Sequence, residues 1–174
     1  MTFNRIHKEF EMGKDMINLM IVDDEEQFLE SMKKRLSVRG FNVIAVNRGE
    51  KAIEAARQQP VDIALVDLKM PGMNGEATLE ALKQEHPWIE VVILTGHGSI
   101  DSAVECTRSG AYNYLQKPCE LDRLLDVLSQ AYKKRVMNKM KLQEEKLDEI
   151  LQMAGGDSAL ATLRRLKELE QKGS

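Results

Sequence analysis

A chain of 174 residues is long enough for one domain of ordinary size with some length to spare. Its composition, 43% hydrophobic and 30% charged, allows a buried core, and a net charge of -3 gives no general attraction to nucleic acid or membranes. No apolar run approaches the ~20 residues that span a bilayer. Cys106 and Cys119 are too few and wrongly spaced for a disulfide framework or a zinc site, so we expect reduced thiols and a cytoplasmic location.

Short apolar runs alternate along the chain with stretches of helical spacing. The runs predicted to be strands are residues 17–22, 41–46, 61–66, 89–94 and 111–115. The helices are predicted after Asp23 up to Gly40, over 49–59, over 74–85, from Ser99 or Asp101 to Gly110, and from about Glu120 onward. Connections this short imply a parallel sheet covered by helices on both faces, an α/β fold.

Polar residues follow four of the predicted strands. Asp23 and Asp24 follow the first, Asp67 the third, Thr95 the fourth and Lys117 the fifth. Because the carboxyl ends of parallel strands meet at one edge of a sheet, we expect these side chains to converge in one crevice. Each residue alone has a simpler interpretation: the acidic pair as helix caps, Thr95 as a cap, and Lys117 as an exposed loop lysine.

The grouped residues predict phosphoryl chemistry. Three neighbouring carboxylates repel one another unless a divalent cation offsets their charge, and an open, oxygen-only site suits Mg²⁺. Lys117 can pair with phosphate oxygens, and Thr95 adds a hydroxyl donor. With Asp67 as the carboxylate nucleophile, the product would be an aspartyl phosphate.

This set of residues resembles a bacterial two-component response-regulator receiver domain, over about residues 16–132. The matching motifs are Asp23-Asp24, Asp67 with the turn L-K-M-P-G-M-N-G, Thr95-Gly96 and Lys117-Pro118. The resemblance implies a flavodoxin-like (βα)5 three-layer sandwich with a five-stranded parallel sheet of order 2-1-3-4-5. It implies that Asp67 accepts a phosphoryl group from the phosphohistidine of a sensor histidine kinase. It also implies that Asp24, Asp67 and the backbone carbonyl of Lys69 bind Mg²⁺, with help from Asp23.

A narrower resemblance lies in the segment T-G-H-G-S-I-D, residues 95–101, followed by Ala103-Val104. It is similar to the receivers of enhancer-binding transcription activators, which continue into an ATPase and a DNA-binding domain. This chain is too short for either and has no phosphate-binding loop of the G-x-x-x-x-G-K-[ST] type, so direct nucleic-acid binding is not expected. We expect no enzymatic activity beyond the chain's own phosphorylation and dephosphorylation.

The resemblance also implies a conformational switch, in which the hydroxyl of Thr95 is drawn toward the phosphoryl group and an aromatic residue on the fifth strand turns inward. Tyr114 matches that aromatic position. Tyr112 lies two residues earlier on the same face of the predicted strand, so face alone does not separate the two. Lys69 and His97, each two residues past a site residue, are predicted to flank the phosphoryl group and set how fast it is lost. The alternative is that both are exposed loop side chains with no kinetic role.

The tail is predicted to remain helical and to dimerise. An apolar stripe along this helix predicts a short coiled-coil seam with a stutter. The residues of the stripe are Leu121, Leu125, Leu128, Tyr132, Val136, Met140, Leu147, Ile150 and Ala154, with a polar Gln143 among them. We therefore expect a homodimer through the Glu120–Ala154 helix and the fifth-strand face. A basic patch followed by an acidic one fits an antiparallel or staggered pairing, whereas a solvated helix is the simpler interpretation of the charges. The predicted organisation is a loose leader (1–15), the receiver (16–132), a helical extension (133–154) and a short terminal helix (155–174).

Three other functions compete with a phosphorylation-activated receiver. A single-domain phosphorelay shuttle would only pass phosphoryl groups on. A structural receiver-like module would never bind phosphate, which the intact set of site residues argues against. An aspartyl-phosphate phosphohydrolase usually has a second Asp two residues after its nucleophile, and Lys69 stands at that position here.

Overall fold

The computed structural model describes residues 16–153, and their side chains as far as residue 150. The predicted leader (1–15) and the predicted terminal helix (155–174) lie outside the described residues. The strands, in chain order, are β1 (Ile17–Val22), β2 (Phe41–Val46), β3 (Ile63–Val66), β4 (Glu90–Thr95) and β5 (Asn113–Gln116). The helices are α1 (Glu26–Ser37), α2 (Gly49–Gln58), α3 (Gly75–Glu85), α4 (Ile100–Arg108) and α5 (Leu121–Met153).

The strands form one sheet in the order β2-β1-β3-β4-β5, and each neighbouring pair is parallel. This confirms the predicted flavodoxin-like fold class and strand order. Strands β3 and β4 are buried at every residue, as expected where helices cover both faces of a sheet. The carboxyl ends of β1, β3, β4 and β5 therefore lie along the same edge.

Two apolar clusters fill the space between the sheet and its helices, one on each face. Alternate residues of β1 divide between them: Leu19 and Ile21 belong to the first cluster, and Met20 and Val22 to the second. Residues of α1 and α5 complete the first cluster, whereas α2 and α3 contribute most of the helical residues in the second. The result is the predicted three-layer arrangement of helices, sheet and helices.

Capping side chains mark two of the predicted helix starts. The side chain of Asn74 accepts a hydrogen bond from the amide of Ala77 at 2.9 Å and caps α3. Ser99 and Ser102 form a reciprocal capping box at the start of α4. Ser99 is thus the cap that the sequence left open between two candidates.

Strand β3 begins two residues later than predicted, and Asp62 explains the difference. Its carboxylate accepts the backbone amide of Asn18 at 2.8 Å, in the place where a strand carbonyl would otherwise accept it. The buried Asp62 also pairs with Arg135 of α5, whose Nη2 lies 2.8 Å from Oδ1. Asp62 therefore joins the sheet to α5 at the amino end of the strands.

Part of the predicted dimer seam is wrong. Leu125 and Leu128 are buried in the first apolar cluster together with Leu124, so they belong to the core of the fold. The spacing alone could not show this, because a helix that packs on a sheet and a coiled-coil helix have similar spacings of apolar residues.

The described residues divide into two compact units, one ending at Arg135 and the other beginning at Val136. Among residues 16–153, no helix is both long and apolar enough to cross a bilayer.

Candidate functional site

Three carboxylates meet at the carboxyl edge of the sheet. Asp23 directly follows β1, where its amide bonds to the carbonyl of Val46 at 3.2 Å, and Asp67 directly follows β3, where its amide bonds to the carbonyl of Val22 at 2.9 Å. One carboxylate oxygen from each of Asp23, Asp24 and Asp67 lies within 4.8 Å of the others. Asp23 and Asp67 are 1% and 4% exposed, whereas Asp24 is open to solvent.

This donor set fits a hard divalent cation. All three side chains offer oxygen, and the exposed Asp24 leaves one side of the group open to water, which Mg²⁺ retains in its coordination shell. Carboxylates this close would otherwise repel one another. Lys69, whose carbonyl is the remaining predicted ligand, is exposed two residues beyond Asp67.

Lys117 brings a positive charge to the same edge. Its Nζ lies 2.6 Å from Oδ2 of Asp23, 3.5 Å from Oε1 of Glu25 and 3.9 Å from the centroid of the Phe28 ring. Burial raises the pKa of Asp23, and the bonds from Lys117 and from the Glu25 amide offset that rise only in part. Burial lowers the pKa of Lys117, but its bond to Asp23 and the nearby acidic charges outweigh burial, so this pKa stands above its ordinary value. The ammonium is therefore charged at neutral pH.

The loop after Asp67 holds that carboxylate in a fixed position. Oδ1 of Asp67 accepts the amide of Leu68 at 2.9 Å, and the amide of Gly75 bonds to the carbonyl of Leu68 at 2.9 Å. A side chain at residue 75 would collide with the carbonyl oxygen of Asp67. The N-G pair of the motif is needed because the start of α3 passes so close to the acidic loop.

Thr95 is fully buried at the end of β4 and close to Lys117 along the sheet edge. Its hydroxyl oxygen accepts the amide of His97 at 3.1 Å, so its own hydrogen can be donated to another acceptor. Its carbonyl accepts the amide of Lys117 at 2.9 Å, which aligns the ends of β4 and β5. The peptide bond between Lys117 and Pro118 is cis.

An open cleft of about 700 Å³ lies between the loop that follows Asp67 and the segment that follows Thr95. Its lining residues are Leu68, Lys69, Met70, Asn74, Glu76, His97, Ser99 and Ser102. Lys69 and His97, both exposed, lie on the wall of this cleft. Their effect on the rate of phosphoryl loss stays a prediction. The cleft is wide enough to admit water or a donor side chain to the edge of the sheet.

The two tyrosines near β5 lie on different sides of the sheet, contrary to the sequence-based expectation. Tyr114 packs against the second apolar cluster, and its hydroxyl lies 3.1 Å from Oγ of Ser102. Tyr112 packs against the first cluster, below the ammonium of Lys134 at 5.2 Å. The strict alternation of a strand does not apply to Tyr112, because it lies in the bend before β5 begins.

Sequence reasoning missed three neighbours of the site. Glu25 and Phe28, both on the α1 side, contact the ammonium of Lys117. In the sequence, Phe28 fits the apolar face of a helix and Glu25 belongs to the acidic run after β1, so neither pattern indicates a contact with Lys117. Ser102, the hydrogen-bond partner of Tyr114, had no sequence signal beyond its place in the first turn of α4.

Comparison with known proteins agrees with this geometry. A family model for the response regulator receiver domain matches residues 19–129. The transcriptional regulatory protein ZraR of Escherichia coli (strain K12) is 38% identical over 120 residues, which are 69% of this chain and 27% of ZraR. An NtrX-like response regulator of Rickettsia typhi is 31% identical over 166 residues, covering 91% of this chain and 34% of the relative. This chain thus spans only a fraction of the length of these curated relatives.

Solved structures support the same assignment. A CheY-like response regulator receiver domain protein from Methanospirillum hungatei JF-1 has a TM-score of 0.69 and 25% identity, covering 71% of this chain and 99% of the other. The narrower similarity to receivers of transcription activators is confirmed as well, since relatives such as ZraR are named as regulators of transcription. The sheet order, the acidic cluster at its carboxyl edge and the family match over residues 19–129 lead to one conclusion. The chain belongs to the response regulator receiver domain family of two-component systems.

Proposed function

We propose that Asp67 is the phosphoacceptor and that it takes a phosphoryl group from the phosphohistidine of a sensor histidine kinase. The observation that carries this proposal is the meeting of three carboxylates within 4.8 Å, with Lys117 bonded to one of them at 2.6 Å. Asp67 directly precedes Leu68 and Lys69, which line the open cleft. The chain would turn over no separate substrate and would catalyse only its own phosphorylation and dephosphorylation.

The two oxygens of Asp67 have different roles in this proposal. Oδ1 is held by the Leu68 amide at 2.9 Å, so Oδ2 is the oxygen that attacks phosphorus. The new P–O bond forms as the P–N bond of the phosphohistidine breaks, and the leaving imidazole nitrogen keeps the electron pair and takes up a proton. The ammonium of Lys117 can move from Asp23 to the phosphoryl oxygens, where the negative charge increases during transfer.

A divalent cation completes the site in this proposal. The residues that would hold Mg²⁺ are Asp23, Asp24, Asp67 and the backbone carbonyl of Lys69. When bound, the ion supplies positive charge that lowers the repulsion between the carboxylates and the incoming phosphoryl group. The buried Asp23 and the exposed Asp24 together provide the acidic charge that attracts it.

Thr95 and Tyr114 would report phosphorylation to the rest of the molecule. The Thr95 hydroxyl, free to donate its hydrogen, would bond to a phosphoryl oxygen, and Tyr114 would leave Ser102 and turn inward. If Tyr114→Ala leaves phosphorylation-dependent assembly unchanged, this role is wrong.

A double-mutant cycle of Tyr114→Phe and Ser102→Ala measures the hydrogen bond between the two hydroxyls, with an expected coupling of about 1 kcal/mol in the unphosphorylated protein. The matched control is Tyr112→Phe with Ser102→Ala, for which we expect no coupling.

Lys69 and His97 would set the lifetime of the phosphoryl group. Both line the open cleft beside the loop that follows Asp67, and both are exposed and able to hydrogen-bond a water molecule. A Lys69→Ala and His97→Ala double variant should therefore lose the phosphoryl group at an altered rate. An unaltered rate would mean that they are exposed side chains without a kinetic role.

Two partners follow from the proposed chemistry. One is the cognate sensor histidine kinase, which would place the chain in the cytoplasm beside the kinase's catalytic part. The other is a second copy, bound through α5 and the face of β5. Because Leu125 and Leu128 are buried, the exposed apolar residues of α5 that such a dimer could use lie beyond Arg135.

Beryllofluoride, a mimic of the aspartyl phosphate, tests the proposal when the molar mass and ligand binding are measured with Mg²⁺. We expect binding to the native chain and none to Asp67→Asn. A change of mass on binding would support a phosphorylation-switched assembly, and binding without a change would favour a shuttle or a constitutive assembly. No binding by the native chain would refute the receiver chemistry and favour a structural module.

A further inference from the structure

The part of α5 beyond Arg135 has an apolar stripe that is exposed in the described part of the chain. Within the described side chains, Met140, Leu147 and Ile150 are 57%, 47% and 61% exposed. Soluble helices rarely expose a regular row of large apolar side chains unless another surface covers it. Together with Val136 and Gln143, these residues are spaced by 4, 3, 4 and 3, which is the heptad pattern of a two-stranded coiled coil.

We propose that residues 136–150 pair with the same residues of a second copy in a parallel, in-register coiled coil. This inference deepens the homodimer proposed above by giving its contact residues and its orientation. The spacing makes Met140 and Leu147 a positions and makes Val136, Gln143 and Ile150 d positions. The seam of the pair is therefore apolar except for one layer.

The charges beside the seam favour the parallel orientation. Lys139 occupies a g position and Glu144 the e position five residues later, and in a parallel pair the g residue of one helix contacts the following e residue of the other. Each Lys139 thus meets Glu144 of the second copy, twice in a symmetric dimer. An antiparallel pair brings g residues opposite g residues, which would place Lys139 or Lys146 against lysine.

The other charged residues of this stretch do not oppose the parallel orientation. Lys141, Glu145, Asp148 and Glu149 occupy b, f, b and c positions, which face away from the seam. These charges, whose order along the helix would by itself suggest antiparallel pairing, therefore lie outside the contact between the two helices.

Gln143 fixes the register of the proposed pair. In register, the two Gln143 side chains meet in one layer and each amide can donate to and accept from the other. A shift by one heptad would bury each Gln143 against an apolar residue with no hydrogen-bond partner, which is unfavourable. One polar layer in an apolar seam is a known way to specify register and number of strands.

Charge exchange in the full chain tests the orientation by sedimentation equilibrium, with and without Mg²⁺ and beryllofluoride. Lys139→Glu and Glu144→Lys should each weaken the dimer by roughly tenfold, because two exposed ion pairs become two repulsions. The double variant Lys139→Glu, Glu144→Lys should restore it, and a mixture of the two single variants should form heterodimers. Lys141→Glu, at an outward position, is the matched control and should change nothing. A chain that stays monomeric in every condition, or a double variant no stronger than the singles, would overturn the proposal.

Disulfide trapping tests the register independently. In a chain with Cys119→Ser, Gln143→Cys should form a dimer linked at residue 143 under mild oxidation, whereas Glu145→Cys, which faces outward, should not. Equal trapping at both positions, or none at residue 143, would contradict the in-register seam. Beryllofluoride binding by Lys139→Glu should equal that of the native chain, so loss of the dimer and loss of the receiver chemistry are measured separately.

Discussion

At the scale of single residues, Lys117 has the most demanding surroundings in the site. Its ammonium contacts two acidic side chains, Asp23 and Glu25, and the Phe28 ring, and Asp23 is only 1% exposed. Removing one partner of a buried ion pair leaves the other charge without compensation. Stability and metal binding should therefore be linked at this residue.

We predict that Lys117→Ala lowers the free energy of unfolding by about 2 kcal/mol when divalent cations are chelated. Mg²⁺ should raise the free energy of unfolding of Lys117→Ala more than that of the native protein, because a cation on the acidic cluster compensates the charge of Asp23. Urea unfolding with chelator and with Mg²⁺ measures both effects. Lys117→Arg, which keeps the charge, is the control and should lose less. An equal loss with and without Mg²⁺ would show that Asp23 is not coupled to the metal site.

The two cysteines differ sharply in their surroundings. Cys106 is fully buried, and burial raises its pKa to about 11, so at pH 8 it remains a thiol rather than the reactive thiolate. Cys119 is only half-buried.

We predict that a disulfide reagent at pH 8 modifies Cys119 within minutes and leaves Cys106 unmodified until the protein unfolds. Cys119→Ser should remove the fast reaction entirely. Fast reaction of Cys106 in the folded protein would mean that the helix α4 that bears it opens readily.

At the scale of elements, α5 is anchored at the amino end of the strands by two unequal ion pairs. Arg135 and Asp62 are each 12% exposed in their side chains and lie 2.8 Å apart. Lys134 is 48% exposed and lies 3.3 Å from the buried Glu90, which also has Lys83 at 3.8 Å. Asp62 has no second cation among its described contacts, whereas Glu90 has Lys83 as well as Lys134.

We predict that Arg135→Ala costs about 2–3 kcal/mol of unfolding free energy, since it leaves Asp62 buried without its cation. Lys134→Ala should cost under about 1 kcal/mol, because the exposed Lys134 is partly replaced by Lys83. Paired urea melts of the two variants give the comparison. Equal costs would indicate that α5 is held by its apolar contacts alone.

The sequence predicted the elements well where local chemistry decides them. Strands β1 and β2 have the predicted bounds, and Asn74 and Ser99 cap helices where the pattern placed them. It failed where a distant partner decides, as at Asp62, whose bonds to Asn18 and Arg135 delay the start of β3. Those partners are far away in the chain, and no periodicity reports them.

The site shows the same division. The strand-end rule placed Asp23, Asp67, Thr95 and Lys117 at one edge of the sheet, because all parallel strands end there. It could not assign Tyr112 to a side of the sheet, since a bend precedes β5, nor separate the buried Leu125 from the exposed Met140 in one apolar stripe.

At the scale of the whole molecule, the site and the proposed assembly lie in different parts of the chain. The acidic cluster belongs to the unit that ends at Arg135, and the proposed seam to the unit that begins at Val136. Helix α5 contributes residues to both units, since it runs from Leu121 to Met153. The proposed function places the phosphoryl group on Asp67, in the first of these units.

The most direct test of this account is to locate the phosphoryl group. The full chain is treated with Mg²⁺ and phosphoramidate, which has the same kind of P–N bond as phosphohistidine. The protein is then reduced with borohydride, which converts an aspartyl phosphate to homoserine. Peptide mass spectrometry reads the modified position. The account predicts homoserine at residue 67 and none in a parallel sample without Mg²⁺. Modification at Asp23 or Asp24 instead, or no modification with Mg²⁺ present, would contradict it.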